Sequence, residues 1–401
     1  MIRSDTSNPR RDLTLLIIAR VLRAFAFGFS IVLFGLHLER RGLSPSMIGV
    51  VLASGLLGSA VMSLLAAYVS SRIGRRLTLA AIGLLMAFAG VDLALATDPW
   101  VLALAGLTGM YGAGWVDLGP FLAIEQSMLT EAVSPTGRNR AFARYSLVGT
   151  AAIGVGGFAA SWGTTLARSE MFYLAFGVIG LVTAVLPLFL SSTVEAELNV
   201  PVFSALRPLF GLTLLLMVDS FSGSFAFPSL IAYWLHVRFG ASAQQLGPIF
   251  TVIPLLQATS YEVAGRLADR IGLINTMVGT HLPAVLLLML LPSTPTLAWA
   301  ITVLFVFSCL SEMDVPARQA YVVSIVKPAE RAGAVALTGA ARAFAQIFGP
   351  AIAGWAIQIA AYGLPFYILG VGKIIFLTGL YTGFRKVRAD HEVPPQPRVG
   401  V

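Results

Sequence analysis

Most of what serves soluble chemistry is scarce in this chain. A single cysteine, Cys309, excludes a disulfide framework and a cysteine metal cluster. The four histidines, His37, His236, His281 and His391, are scattered, with no His-x-x-x-His or similar pair to grip a metal. No Gly-rich loop with a Lys is present to cradle a phosphate, which excludes a nucleotide-driven pump. Charge is scarce too: Asp, Glu, Lys and Arg make up 11% of 401 residues, against ~25% in an ordinary globular chain. A soluble protein of this length would need a polar surface that this composition does not supply. Hydrophobic residues reach 57%, so the bilayer is the solvent. The net charge of +8 then reads as membrane topology and not as affinity for nucleic acid. No short apolar core with a small-residue cleavage site precedes the first apolar run, so that run is expected to stay as a spanning helix.

What is there is a series of apolar runs. Twelve can be read, each of roughly 18–28 residues, enough to cross ~30 Å of hydrocarbon at ~1.5 Å per residue. They fall at about 13–38, 44–69, 77–97, 100–131, 141–167 and 170–192 in the first half, and about 206–236, 243–268, 274–292, 297–326, 333–360 and 363–384 in the second. This gives an all-α membrane protein. Its expected divisions are an N-terminal tail over 1–12, a six-helix bundle over 13–192, a polar linker over 193–205, a second bundle over 206–384 and a disordered tail over 385–401. Loops on the side of the termini collect Arg72, Arg75, Arg76, Arg138, Arg140, Arg266, Arg270, Lys327, Arg331 and Arg385, whereas the opposite loops hold Arg40, Arg41, Arg168 and Arg238. That asymmetry puts both termini in the cytoplasm, and an even helix count agrees. Trp100, Tyr233 and Trp234 fall near outer helix ends, where interfacial aromatics are expected.

The two halves echo one another. Gly265-Arg-Leu-Ala-Asp269-Arg270-Ile-Gly272 sits between the eighth and ninth runs, and Ser71-Arg72-Ile-Gly74-Arg75-Arg76 sits between the second and third. Arg72 and Arg270 lie 198 positions apart, as do Arg144 and Arg342, and Gly156 and Gly354. A shared offset of half the chain reads as an internal repeat. Gly-x-Leu-Ala-Asp-Arg-x-Gly resembles the loop between the second and third helices of major facilitator superfamily transporters. The full pattern of that family adds two basic residues. Here the second half has the Asp without the basic pair, and the first half has Arg75 and Arg76 with Ser71 where the Asp belongs. Gly349-Pro350-x-x-x-Gly354 is similar to the hinge that drug antiporters of the superfamily carry on helix 5, yet here it stands on helix 11, and helix 5 lacks the Pro. Small residues at these positions also permit close helix packing. Gly119-Pro-Phe-Leu-Ala-Ile-Glu125-Gln126 and Asp314-Val-Pro-Ala-Arg318-Gln-Ala-Tyr321 resemble a bacterial and archaeal subgroup of the superfamily.

An ionised side chain at mid-bilayer costs at least ~2.5–3.5 kcal/mol on insertion scales. The apolar runs nevertheless hold Arg20, Arg23, Asp117, Glu125, Asp219, Glu312, Asp314, Arg318 and Lys373. All but Lys373 fall on runs 1, 4, 7 and 10, and the resemblance implies that those four helices line a central cavity. Such charges can also simply pair and hold helices together. Rise per residue places Arg20 and Arg23 roughly 10–15 Å in from the cytoplasmic end, with Glu125 roughly 9 Å in, so an Arg23–Glu125 or Arg20–Glu125 pair is expected. Asp117, Asp219, Glu312 and Asp314 come out near ~20 Å, at one depth, where carboxylates resist ionising together. These four are the proton-coupling candidates, with Asp117 and Glu312 first. Asp314 and Arg318, one turn apart, can form a static pair. Substrate-cavity candidates are Arg23, Tyr111, Trp115, Glu125, Phe221, Phe225 and Arg318. Lys373 is expected to face a neighbouring helix or to be part-exposed. The resemblance implies that Arg72, Gly74, Arg75, Arg76, Gly265, Asp269, Arg270 and Gly272 form gating turns, in which Asp269 and Arg270 clamp helix ends in the outward-facing state. Arg144 or Arg342 would be partners, and Gly349, Pro350 and Gly354 a hinge.

The reading is a monomeric secondary transporter in the cytoplasmic membrane, working by alternating access and coupled to protons. It moves a small organic solute, with efflux ahead of uptake and no cofactor or metal. A membrane-embedded enzyme would call for clustered His, Cys or Ser-His groups, and a sensor would call for a folded extra-membrane domain; neither is visible.

Overall fold

The computed structural model describes residues 9–111, 120–133, 138–192, 206–271, 273–313 and 331–384. Sequence this apolar cannot leave backbone N–H and C=O groups unpaired in hydrocarbon, and helices close those groups on themselves. The first half holds α1 (Pro9–Arg40), α2 (Pro45–Ile73), α3 (Arg75–Leu95), α4 (Pro99–Gly106), α5 (Pro120–Ala132), α6 (Arg138–Ala159) and α7 (Leu166–Val185). The second holds α8 (Leu206–Gly223), α9 (Pro228–Phe239), α10 (Ala243–Ile271), α11 (Leu273–Leu290), α12 (Leu297–Ser311), α13 (Arg331–Gln346), α14 (Phe348–Gln358) and α15 (Leu364–Phe384). Among the described residues seven helical stretches are long and apolar enough to cross a membrane, and α12 is a shorter apolar one. The set is consistent with twelve passes.

Local sequence sets the helix starts. Ser44 caps α2 and accepts from the Met47 N–H, with Pro45 in the first turn. Asp98 caps α4 by accepting from the Trp100 and Val101 N–H groups at 2.8 and 3.2 Å, ahead of Pro99. Thr165 and Thr296 cap α7 and α12. Between α2 and α3 the turn is one residue, Gly74, at φ +88, a conformation that disfavours any side chain.

Packing repeats between the halves. α1 lies on α6 as α8 lies on α13, and α3 lies on α7 as α11 lies on α15. Across the halves α2 packs on α14 and α10 packs on α6. Both crossings rest on glycine. A Cβ at Gly354 would stand 2.9 Å from the Gly49 Cα, and one at Gly247 would stand 2.9 Å from the Gly157 carbonyl oxygen. Gly49 and Gly247 are 198 positions apart, the repeat offset. Both lie in the first turns of their helices, toward the face opposite the start of α1, called the far face below. The other is the terminal face. Further ties between halves gather at the far face: the Ser46 N–H donates to Gln358 Oε1 at 3.2 Å, and the Thr251 hydroxyl donates to the Gly154 carbonyl at 3.0 Å. Toward the terminal face α2 turns Leu64 and Tyr68 outward, 61% and 59% exposed. The conformation is closed at the far face.

Four runs expected to be continuous are interrupted. Helix 4, expected over 100–131, stops at Gly106 and turns through Gly109 at φ +72, and resumes as α5 at Pro120. Helix 7, expected over 206–236, breaks between α8 and α9 through a 3-10 turn, Ser224–Ala226, and an extended Phe227. Pro228 explains that break, because it disfavours the α conformation at the residue before it. Helix 10 stops at Ser311, with Glu312 as its C-cap. Helix 11 is divided at Ile347 into α13 and α14, just before Gly349-Pro350. Two of the expected interfacial aromatics are also corrected. Trp100 is 68% exposed, but Tyr233 and Trp234 are buried, with the Trp234 indole donating to the Tyr362 carbonyl at 2.9 Å.

Candidate functional site

The first half closes its charges on themselves. Arg23, on α1, makes a bidentate pair with Glu125 of α5, at 2.7 and 2.6 Å. The Tyr145 hydroxyl, from α6, donates to the same carboxylate at 2.5 Å. The Arg23 guanidinium lies 4.1 Å from the Phe121 ring centre, and that of Arg20 lies 5.0 Å from the Tyr145 ring. Arg23 and Glu125 are 0% and 1% exposed, so this cluster joins three helices and faces no open space. Of the two pairings expected for Glu125, the one with Arg23 is formed. Both residues stood among the substrate-cavity candidates, and their burial argues for a helix tie.

The second half contains a cavity of about 230 Å³. It is lined by Gly223, Phe227 and Pro228 at the break in helix 7, Gln257 of α10, His281 of α11, Ser308 and Ser311 of α12 with Glu312, Gln346 of α13 and Lys373 of α15. Gln257 Nε2 stands 3.5 Å from both Ser311 Oγ and Glu312 Oε1. Lys373 Nζ donates to Asp219 Oδ1 at 2.6 Å, and that carboxylate is 2% exposed at its side chain. Next to it, Arg342 Nε donates to the Ser220 hydroxyl at 2.8 Å. Phe307, Ile253, Val285 and Leu304 supply apolar wall. Ionisable and amide groups from five helices thus meet beside the breaks in helices 7, 10 and 11. Broken helices free backbone groups at membrane depth, which is tolerated where a cavity is lined.

The expected site residues divide accordingly. Glu312 lines the cavity, and Asp219 borders it through Lys373. Lys373 was expected at a neighbouring helix or part-exposed; it is 12% exposed at its side chain and lines the cavity. Tyr111 instead is buried in the first half, with its hydroxyl at 2.8 Å from Asp92 Oδ2 and from the Leu102 carbonyl. Phe225 is buried against Phe221, and Phe221 lines a shallow outer groove between α8 and α15. Asp117, Trp115, Asp314, Arg318 and Gly272 lie outside the described residues. In the gating turns, Gly74 makes the turn, Arg75 is buried, Arg76 donates to the Leu190 carbonyl at 2.5 Å, and Arg72 is exposed over the Tyr68 ring. Gly265 and Asp269 fall on α10, and Arg270 is exposed near its end. Arg144 is exposed, while Arg342 reaches α8. Gly349 and Gly354 sit at tight contacts, against Ser224 and against Pro45 and Gly49, so at least these two serve close packing.

Sequence reasoning did not find Gln257, Gln346 or His281. Their signal was weak: an amide or imidazole in an apolar run is common, and only the fold brings these three together.

The sequence profile of the Major Facilitator Superfamily matches residues 16–309 and 212–400. An uncharacterised membrane protein of Saccharomyces cerevisiae is 22% identical over 394 residues, covering 86% of this chain and 87% of that one. Among solved structures, a variant of the nucleoside transporter NupG aligns at a TM-score of 0.77 and 15% identity, covering 94% of this chain and all of the other. A D-xylose-proton symporter aligns at 0.70 and 15% identity, covering 92% and 97%. With the profile spanning nearly the whole chain, and a fold shared with these carriers, the protein is a multi-pass member of the Major Facilitator Superfamily, a secondary transporter of small solutes.

Proposed function

We propose that the protein is a proton-coupled carrier of the cytoplasmic membrane, with both termini cytoplasmic, acting as a monomer by alternating access between halves 13–192 and 206–384. The observation that carries this is the second-half cavity, where Glu312, His281 and the Asp219–Lys373 pair stand together beside the breaks in helices 7 and 10. A carboxyl at that depth binds and releases a proton at small energetic difference when a neighbouring cation moves toward or away from it. Glu312 and Asp219 are the described proton carriers in this reading, with Asp117 and Asp314 as further candidates. Efflux is the favoured direction, because Phe227 and Phe307 with Glu312 give an aromatic and acidic lining suited to amphipathic or cationic cargo. A second reading, uptake of a hydroxylated metabolite, is favoured by Gln257, Gln346, Ser308 and Ser311 on the same wall.

The test is internal pH in vesicles of known protein orientation as amphipathic cations, sugars and carboxylates are added outside. Internal alkalinisation as a solute enters means antiport, and acidification means symport. Glu312→Gln should abolish the pH change while leaving insertion intact. Solute flux without any pH change removes proton coupling.

A further inference from the structure

A titratable pair ties the two halves at the far face, away from the cavity. Glu39 stands next to the last residue of α1, and His236 lies in the last turn of α9. His236 Nε2 is 2.9 Å from Glu39 Oε2, and its Nδ1 is 2.7 Å from the Ala241 carbonyl oxygen. The carbonyl can only accept, so Nδ1 carries a hydrogen. The Nε2–Oε2 contact then needs a second proton, on the ring or on the carboxyl. Either placement leaves the pair holding one proton more than a neutral imidazole facing a carboxylate.

Neighbouring charges act on the pair but do not fill the Nε2–Oε2 contact: Arg40 attracts the Glu39 carboxylate and repels an imidazolium at His236. On α1, Arg40 sends Nη1 to the Gly163 carbonyl at 2.8 Å, and Arg41 pairs with Glu170 at 2.8 Å. On α9, Arg238 lies over the Phe239 and Tyr362 rings, and Tyr233 stands beside Glu39. The side chains of His236 and Glu39 are 31% and 39% exposed, so the pair exchanges protons with the aqueous phase at the far face. α1 and α9 belong to different halves and touch where a Cβ on Gly35 would stand 2.6 Å from the Tyr233 Cβ. Opening the far face must draw Glu39 away from His236.

We propose that Glu39 and His236 form a proton-binding latch: the far face closes with net uptake of protons from that side and releases them on opening. This rests on the proposed alternation between the two halves and holds whatever the cavity couples. The sign follows from the linkage. The closed state binds the extra proton more tightly, so closure is fully favoured below the open-state histidine's ~6.5, and that advantage is lost as pH rises above it. A pair this exposed is a modest one, and the expected change in the closed-to-open ratio is about two- to fivefold.

The experiment uses the full chain in nanodiscs, with Cys309→Ser and spin labels on Ala167→Cys and Gln244→Cys, one on each half near the far face. Distance distributions are recorded from pH 5.5 to pH 8. The closed population should fall with pH in this background. It should become independent of pH in His236→Gln and in Glu39→Gln, while His236→Lys, a permanent cation, should stay closed throughout. An unchanged pH response in His236→Gln, or a background with no response, overturns the latch. If His236→Gln does not fold, the contrast between Glu39→Gln and His236→Lys decides.

Discussion

At the scale of single residues, buried charge separates into ties and working groups. Arg23 pairs with Glu125 in bidentate geometry and Tyr145 donates to the same carboxylate, with Arg23 and Glu125 both buried. Removing one member leaves the other buried and uncompensated, which costs about 3–5 kcal/mol. Glu125→Leu should therefore lower stability by that order, read by thermal unfolding in detergent. The double replacement of Arg23→Met with Glu125→Leu should recover most of the loss; equal loss in both variants would mean that the cost is not that of an uncompensated Arg23. This tie was legible in the sequence, because depth along two helices depends only on rise per residue. The Asp219–Lys373 pair was not. Its partners are 154 residues apart on helices whose rotation about their own axes the apolar pattern leaves open. Tyr111 failed for the same reason: its position on helix 4 was readable, but its turn toward Asp92 was not.

At the scale of elements, the apolar runs located the helices, while local residues located the breaks. The breaks in helices 4 and 7 follow from Gly109 and from the Phe227-Pro228 step, both visible in sequence yet overridden in a reading by apolar length. Contacts between elements were less legible, since small residues mark hinges and close crossings alike. Gly354 shows the difference: it meets Pro45 and Gly49 on α2, across the halves. Gly49→Val would push α2 off α14 in the far-face-closed state and leave the opposite state free of the clash. Overpacking of this kind costs ~1–3 kcal/mol, so the equilibrium should move toward the far-face-open state by roughly fivefold to a hundredfold. The check is reagent labelling of a cysteine at Ile253, on the wall of the cavity, from the far side; labelling no faster than without Gly49→Val would refute it.

At the scale of the whole molecule, alternation is one equilibrium held from two ends. The Glu39–His236 pair is proposed to hold the far face closed. The superfamily turn carrying Asp269 and Arg270 is proposed to hold the terminal face closed in the opposite state, as its resemblance implies. The two latches then bias the same equilibrium with opposite sign, from positions too far apart to share partners. Effects of such distant sites add within ~0.3–0.5 kcal/mol. Asp269→Ala should raise the far-face-closed population, and at pH 5.5 His236→Gln should lower it. Together they should return it to near the starting value, because the two free energies subtract. The readout is the spin-label distance distribution across the far face, recorded for the four combinations. A double variant that follows either single variant would show that the two faces are not linked through one equilibrium, and that at least one of the pairs acts only on its own helix ends.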